Sequence, residues 1–132
     1  IMAELKAKYP QGCPTGQAVI TGGGRLAARY VLHAVGPVYS GKPKDAELLA
    51  SVYRSCLTLC SQHGIKTVAF PSISTGAYRY PVEEAAPIAI RTVADYLTVH
   101  PEIVLVRFVL FDSVTYTAYH QTLEVLQERF AS

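Results

Sequence analysis

One run constrains this chain more than any other: Ile103–Phe111, IVLVRFVLF, nine residues that are apolar except for Arg107. A bilayer span takes about 20 residues, so this run does not cross a membrane. It also lacks the apolar/polar alternation of a strand with one wet face. A strand covered by helices on both faces reads this way, and the rest of the chain must then supply the helices.

It does. Asp45–His63 repeats Leu48, Leu49, Val52, Cys56, Leu59 and Cys60 at three- and four-residue spacing, one buried stripe. Asp45 is a candidate N-cap and Gly64 a candidate C-terminal stop. Val82–Val99 forms a second helix behind Pro81, although Pro87 lies deep enough to kink or delay it. A third is capped by Asp112 or Ser113 and turns Tyr116, Tyr119, Leu123, Leu126 and Phe130 inward. Ile1–Lys8 reads as a helix ended by Pro10, Gly12 and Pro14. Short strands are predicted at Val19–Thr21, Arg29–Val35 and Thr67–Ile73, with Pro71 taking the last out of its ladder. Gly22-Gly23-Gly24 joins the first two as a hairpin-like turn; no Gly-Lys-Ser/Thr follows, so it is not a phosphate loop. The order helix, strand, strand, helix, strand, helix, strand, helix predicts the α/β class: a three-layer α/β/α sandwich around a mixed, largely parallel central sheet.

The 132 residues suit a single domain spanning 1–132, and a chain half hydrophobic and 17% charged is not a disordered one. The formal charge of +2 is scattered, without the basic stripe that tracks phosphates, so no nucleic-acid partner is expected. Cys13, Cys56 and Cys60 include no Cys-x-x-Cys and no matching His pair, which points to small core residues and neither a disulfide framework nor a metal site. With no secretory or lipidation signal, the expected compartment is the cytoplasm, away from the membrane. Ile1 is not an initiator Met and opens a helix without a cap, so the expectation is that the domain is N-terminally incomplete.

In such folds ligands sit at the carboxyl ends of the strands. The segment from Ser72 through Ile73, Ser74, Thr75, Gly76, Ala77, Tyr78, Arg79 and Tyr80 to Pro81 joins a buried strand to a helix there. Its small and hydroxyl residues let backbone N–H groups face an anion, Gly76 permits close approach, and Tyr78 and Tyr80 offer ring surface. A nucleotide-like ligand with a phosphate and a sugar suits that set, as does an ordinary tight connection. Phe111, ending the last strand, is placed either to stack on a base or to cap the core. His33, inside an apolar strand, reads as a satisfied core histidine. Glu83 and Glu84 suit the first turn of a helix. No Ser-His-Asp or Cys-His set assembles from spacing. From residues alone, a phosphate-containing ligand at one loop is where the reading stops.

Pro71–Tyr78 with Tyr80-Pro81 resembles the second ligand loop of macrodomains, the ADP-ribose-binding fold. Cys13-Pro14-Thr15-Gly16-Gln17-Ala18, then Tyr30-Val31-Leu32-His33-Ala34-Val35-Gly36-Pro37, and later Val109-Leu110-Phe111-Asp112, resemble the hydrolase branch known as the MacroD type. The similarity runs from about Ile1 to Leu126. It implies binding of ADP-ribose and hydrolysis of its esters, mono-ADP-ribose on acidic side chains of proteins and O-acetyl-ADP-ribose, with no cofactor. Ser74, Thr75, Gly76, Ala77 and Tyr78 match the loop that wraps the diphosphate and distal ribose, with Tyr78 positioning that ribose. Phe111 matches the aromatic that lies against adenine. The family's Asn-Ala-Ala-Asn stretch and the glycine-rich loop with its catalytic Asp are not in this sequence, which leaves a non-catalytic ADP-ribose reader as the alternative. Arg79 stands where many relatives have glycine, either as an exposed residue or as added charge beside the phosphates.

Overall fold

The computed structural model describes residues 14–22, 30–76 and 78–131. The helix expected at Ile1–Lys8 and the residues Cys13, Gly23, Gly24 and Ala77 lie outside that set. Among the described residues four strands and three helices follow one another: β1 (Ala18–Gly22), β2 (Tyr30–Ala34), α1 (Lys44–Gln62), β3 (Thr67–Phe70), α2 (Val82–Val99), β4 (Leu105–Phe108) and α3 (Ser113–Ala131). β1 pairs antiparallel with β2, Ala18 opposite Ala34. β3 pairs parallel with β4, Thr67 opposite Leu105 and Phe70 opposite Phe108. One antiparallel and one parallel pair make the sheet content mixed, and the parallel pair is joined by a helical crossover as parallel strands require. α1 packs on β1 and on α2, and α2 packs on α3.

Local chemistry explains most boundaries. α1 ends in a left-handed Gly64, φ 66, and the Ile65 N–H reaches back to the Cys60 carbonyl at 2.8 Å, a Schellman closure. Its start differs from expectation. Pro43 occupies the N-cap position and makes no side-chain cap bond, while Asp45 lies inside the first turn. The Asp45 carboxylate instead accepts from Ser40 N at 2.7 Å, Ser40 Oγ at 2.8 Å and Gly41 N at 3.0 Å, which ties down the preceding loop. These bonds, the Ser40 N–H foremost, hold its carboxyl below the ordinary aspartate value. α2 runs through Pro87 without interruption; the proline is exposed, where the carbonyl it cannot serve faces water. α3 is capped by Asp112, whose oxygens accept from Thr115 N at 2.7 Å and Thr115 Oγ1 at 3.0 Å.

The core lies between α1, α2 and the parallel pair. Tyr53, Leu57 and Cys60 of α1 meet Ala85, Ala86 and Ala89 of α2, whose small side chains let the two helices approach closely. The buried stripe of α1 is Leu49, Val52, Tyr53, Cys56, Leu57 and Cys60; Leu48 and Leu59 are only partly covered. Burial raises the Cys60 thiol. Aromatic rings fill the space under the strand ends, with Tyr53 5.2 Å from Phe70 and Phe108 5.1 Å from Tyr119.

Two expectations fail on burial. The regular part of the Ile103–Phe111 run is four residues long, and burial along it alternates: Leu105, Arg107, Val109 and Phe111 are exposed while Val106, Phe108 and Leu110 are partly buried. Among the described residues only one face of β4 is covered. Of the stripe expected on α3, Tyr119 and Leu126 are covered, together with Thr115, Ala118 and Thr122, whereas Tyr116 and Leu123 face solvent and the Phe130 side chain lies outside the described residues. The α3 stripe is shifted because α3 turns toward α2 the face that packing against it selects, not its most apolar one. Thr67–Ile73 likewise contributes only Thr67–Phe70 to the ladder, and Pro71 is the first residue beyond it.

Candidate functional site

Because β3 and β4 are parallel, the chain leaves both at the same end. Val109 N–H donates to the Phe70 carbonyl at 2.8 Å just past the last paired residues. The segment 71–81 emerges from β3 there, and Phe111 follows β4. At the same end the chain leaving β2 passes Gly36. A Cβ added at Gly36 would overlap Ser74 Oγ and Ile73 Cγ2, so glycine is what lets the loop lie against β2.

The loop is anchored from below by hydroxyl groups. Ile73 N–H donates to Tyr53 Oη at 3.2 Å, and Ser72 Oγ and Tyr119 Oη share a hydrogen bond at 2.8 Å. Thr75 Oγ1 donates to the Ser72 carbonyl at 3.1 Å. Burial, then the neighbouring Tyr119, pushes the Tyr53 phenol well above its ordinary value, and burial raises Tyr119 too. The floor of the loop is therefore neutral at physiological pH and offers no negative charge against an anion.

From the side, Tyr39 N–H donates to the Tyr78 carbonyl at 3.0 Å while the Tyr39 hydroxyl donates to Glu84 at 3.2 Å. Tyr80 is buried edge-on against Tyr39, ring centroids 5.1 Å apart, and its N–H closes the loop on the Ser74 carbonyl at 3.0 Å.

Held in this way, the loop carries features that do not benefit the polypeptide itself. Ser74 and Arg79 both sit in the left-handed region, φ 68 and 60, at a cost of about 1 kcal/mol or more each for non-glycine residues. Ser74 Oγ is buried against Gly36 with no hydrogen-bond partner among the described residues. The N–H groups of Ser74, Thr75, Gly76 and Tyr78 donate to no carbonyl among those residues. Gly76 is exposed, and a Cβ built there would meet nothing within 4 Å. Unpaired backbone donors beside open space are groups that an anion could satisfy.

Of the residues singled out from the sequence, Ser74, Thr75, Gly76 and Tyr78 lie together in this loop. Phe111 lies at the same end and is 89% exposed, so it does not cap the core. Tyr78 is 40% exposed. His33 Nε2 meets the buried Thr21 hydroxyl at 2.8 Å, a histidine engaged in structure. Gly36, Tyr39, Tyr53 and Tyr119 support the loop and were not singled out for it. Gly36 had a signal, a Gly-Pro directly after a strand; the three tyrosines had none beyond their apolar rings. No cluster of three or more His, Cys, Asp or Glu side chains able to hold a metal occurs among the described residues. No helix there is long and apolar enough to cross a membrane.

The Macro domain family model matches residues 2–89. A Macro domain-containing protein of Caldanaerobacter subterraneus subsp. tengcongensis, TTE0995, is 53% identical over 131 residues, covering 97% of this chain and 74% of its own length. An O-acetyl-ADP-ribose deacetylase of Cronobacter sakazakii is 47% identical over 126 residues, 94% of this chain and 70% of that protein. A mutant macrodomain of Oceanobacillus iheyensis solved with ADPR superposes with a TM-score of 0.88 at 38% identity, over 96% of this chain and 69% of that one. The share of such relatives that the chain spans runs from 63% to 74% of their length.

Proposed function

This chain belongs to the Macro domain family, and from that premise we propose that it binds ADP-ribose in the loop 71–81 and hydrolyses ADP-ribose esters. The observation that carries the reading is that the N–H groups of Ser74, Thr75 and Gly76 have no acceptor among the described residues, in a loop anchored from below and open beside Gly76. In this reading those donors and the backbone of Ala77 wrap the diphosphate. Tyr78 positions the distal ribose, and the exposed Phe111 ring lies against the adenine. Preorganised N–H donors on a neutral floor stabilise phosphate charge without reorganising.

The chemistry assigned to the site is substrate-assisted. A water held beside the ligand's own phosphate attacks the ester linkage at the distal ribose; the ester C–O bond breaks, leaving a ribose hydroxyl and a free carboxylate, either acetate or the side chain of a protein Glu or Asp. Tyr78 contributes by fixing the ribose against that water, so its role is positioning. No cofactor takes part. Relatives named for O-acetyl-ADP-ribose deacetylation support the hydrolytic half of the reading.

Calorimetry with ADP-ribose tests the binding half. Release of acetate from O-acetyl-ADP-ribose and of ADP-ribose from a mono-ADP-ribosylated Glu substrate tests the rest. A protein that binds ADP-ribose but releases neither product is a reader. That second reading has its own support: among the described residues the loop contains no carboxylate or imidazole to act as a base, and the neighbouring Asp45 and Glu84 are already hydrogen-bonded.

A further inference from the structure

Arg79 is the cation of the segment 71–81, and the phosphate cradle proposed above leaves it without a task. It holds a left-handed φ of 60, a conformation in which glycine would be free of strain. Its backbone is fixed on both sides. Arg79 N–H donates to Gly76 O, the Tyr78 carbonyl accepts from Tyr39 N, and Tyr80 N donates to Ser74 O, each at 3.0 Å. The side chain is exposed, and among the described residues no carboxylate pairs with it. Asp45 and Glu84, nearby in the fold, serve Ser40, Gly41 and Tyr39 instead. A strained backbone held by hydrogen bonds thus carries an exposed guanidinium directly after the residue assigned to the distal ribose.

The distal ribose is where the esterified carrier departs from ADP-ribose, so the group beside Arg79 is the carrier and not the diphosphate. We propose that Arg79 selects that carrier: the site takes ADP-ribosyl groups esterified to carboxylates within acidic stretches of protein in preference to the same group on neutral stretches. The inference rests on the ADP-ribose reading of the loop. A rim charge of this kind acts on encounter and on salt dependence more than on the buried contacts.

Two synthetic peptides decide it, each bearing one ADP-ribosyl-Glu, one flanked by Glu and Asp and the other by Ser and Gly. Binding is followed by stopped-flow fluorescence anisotropy ahead of any turnover, with free ADP-ribose as the third ligand. The wild type is expected to favour the acidic peptide about fivefold at roughly 0.05 M salt and to lose most of that preference near 0.5 M. Arg79→Gly, relaxed in its backbone, binds the two peptides equally, Arg79→Lys keeps most of the preference, and free ADP-ribose is unchanged within about twofold throughout. Equal affinity of the wild type for both peptides overturns the inference while leaving the ADP-ribose site intact. Loss of free ADP-ribose binding in Arg79→Gly puts the guanidinium on the diphosphate and overturns it too. A wild type that binds no ADP-ribose removes the reading of the loop and the inference together.

Discussion

The two ends of the parallel pair β3–β4 are built from similar residues and behave in opposite ways. Where the strands begin, Ser61 Oγ meets Tyr96 Oη at 3.0 Å and donates to Glu102 at 2.9 Å, and His100 Nδ1 meets the same carboxylate at 3.0 Å. The Tyr96 and His100 rings stack at 3.9 Å. Hydrogen bonds from its own backbone N–H and from Ser61 lower the Glu102 carboxyl. Every side chain in that cluster has a partner within it. Where the strands finish, serine and tyrosine hydroxyls again take part, yet among the described residues a buried hydroxyl is unpartnered, backbone donors are open and two residues are strained. Composition does not separate the structural end from the end proposed to bind; satisfaction of hydrogen-bonding groups does.

The largest effect is expected at Gly76. Its φ is unstrained and the space beside it is empty, so Gly76→Glu folds with an unchanged Tm. A carboxylate beside the diphosphate then weakens ADP-ribose binding by about a hundredfold or more, measured by calorimetry. Retained affinity in the folded variant would remove the loop as the site and erase the contrast between the two ends.

Gly36 gives the opposite pattern. Gly36→Val drives methyl groups into Ile73 and Ser74, costing about 1–3 kcal/mol by overpacking. Denaturant unfolding should show that loss, and ADP-ribose affinity should fall with it as the loop is pushed off β2.

Tyr53→Phe is milder. It removes the acceptor for Ile73 N–H and costs about 1 kcal/mol. The same phenol sets an alkaline limit. Its folded pKa is raised by burial, so its contribution is complete below the unfolded value of about 10 and drains away as pH rises from there through the folded value. Thermal melts from pH 8 to 11 should fall more gently for the phenylalanine variant. Smallest of all is Glu102→Gln at the satisfied end, where the carboxylate is exposed: ADP-ribose affinity stays within about twofold. A larger change would mean that the two ends communicate.

The loop itself was legible in the sequence because its chemistry is local: small residues, hydroxyls and a glycine between a strand and a helix. Gly64 was legible for the same reason, since a helix stop is written in adjacent residues. What holds the loop was not. Tyr119 reads as one more apolar residue on a helix, and its hydroxyl acquires meaning only when α3 folds back under Ser72. Asp45 before a helix looks like a cap, but the Ser40-Gly41 turn competes for its carboxylate and wins with two backbone N–H groups. Ile103–Phe111 promised burial on both faces, and burial instead alternates, because hydropathy records what a strand can bury and not which neighbours arrive.

The Ser72–Tyr119 hydrogen bond joins positions 47 residues apart. On a ribosome that separation becomes a delay. The loop leaves the exit tunnel well before the helix that supplies its floor, and domains fold as the chain emerges. A nascent chain that has presented Ser74–Tyr78 still lacks the Tyr119 anchor, so the loop acquires its full floor only when α3 has emerged and closed the core.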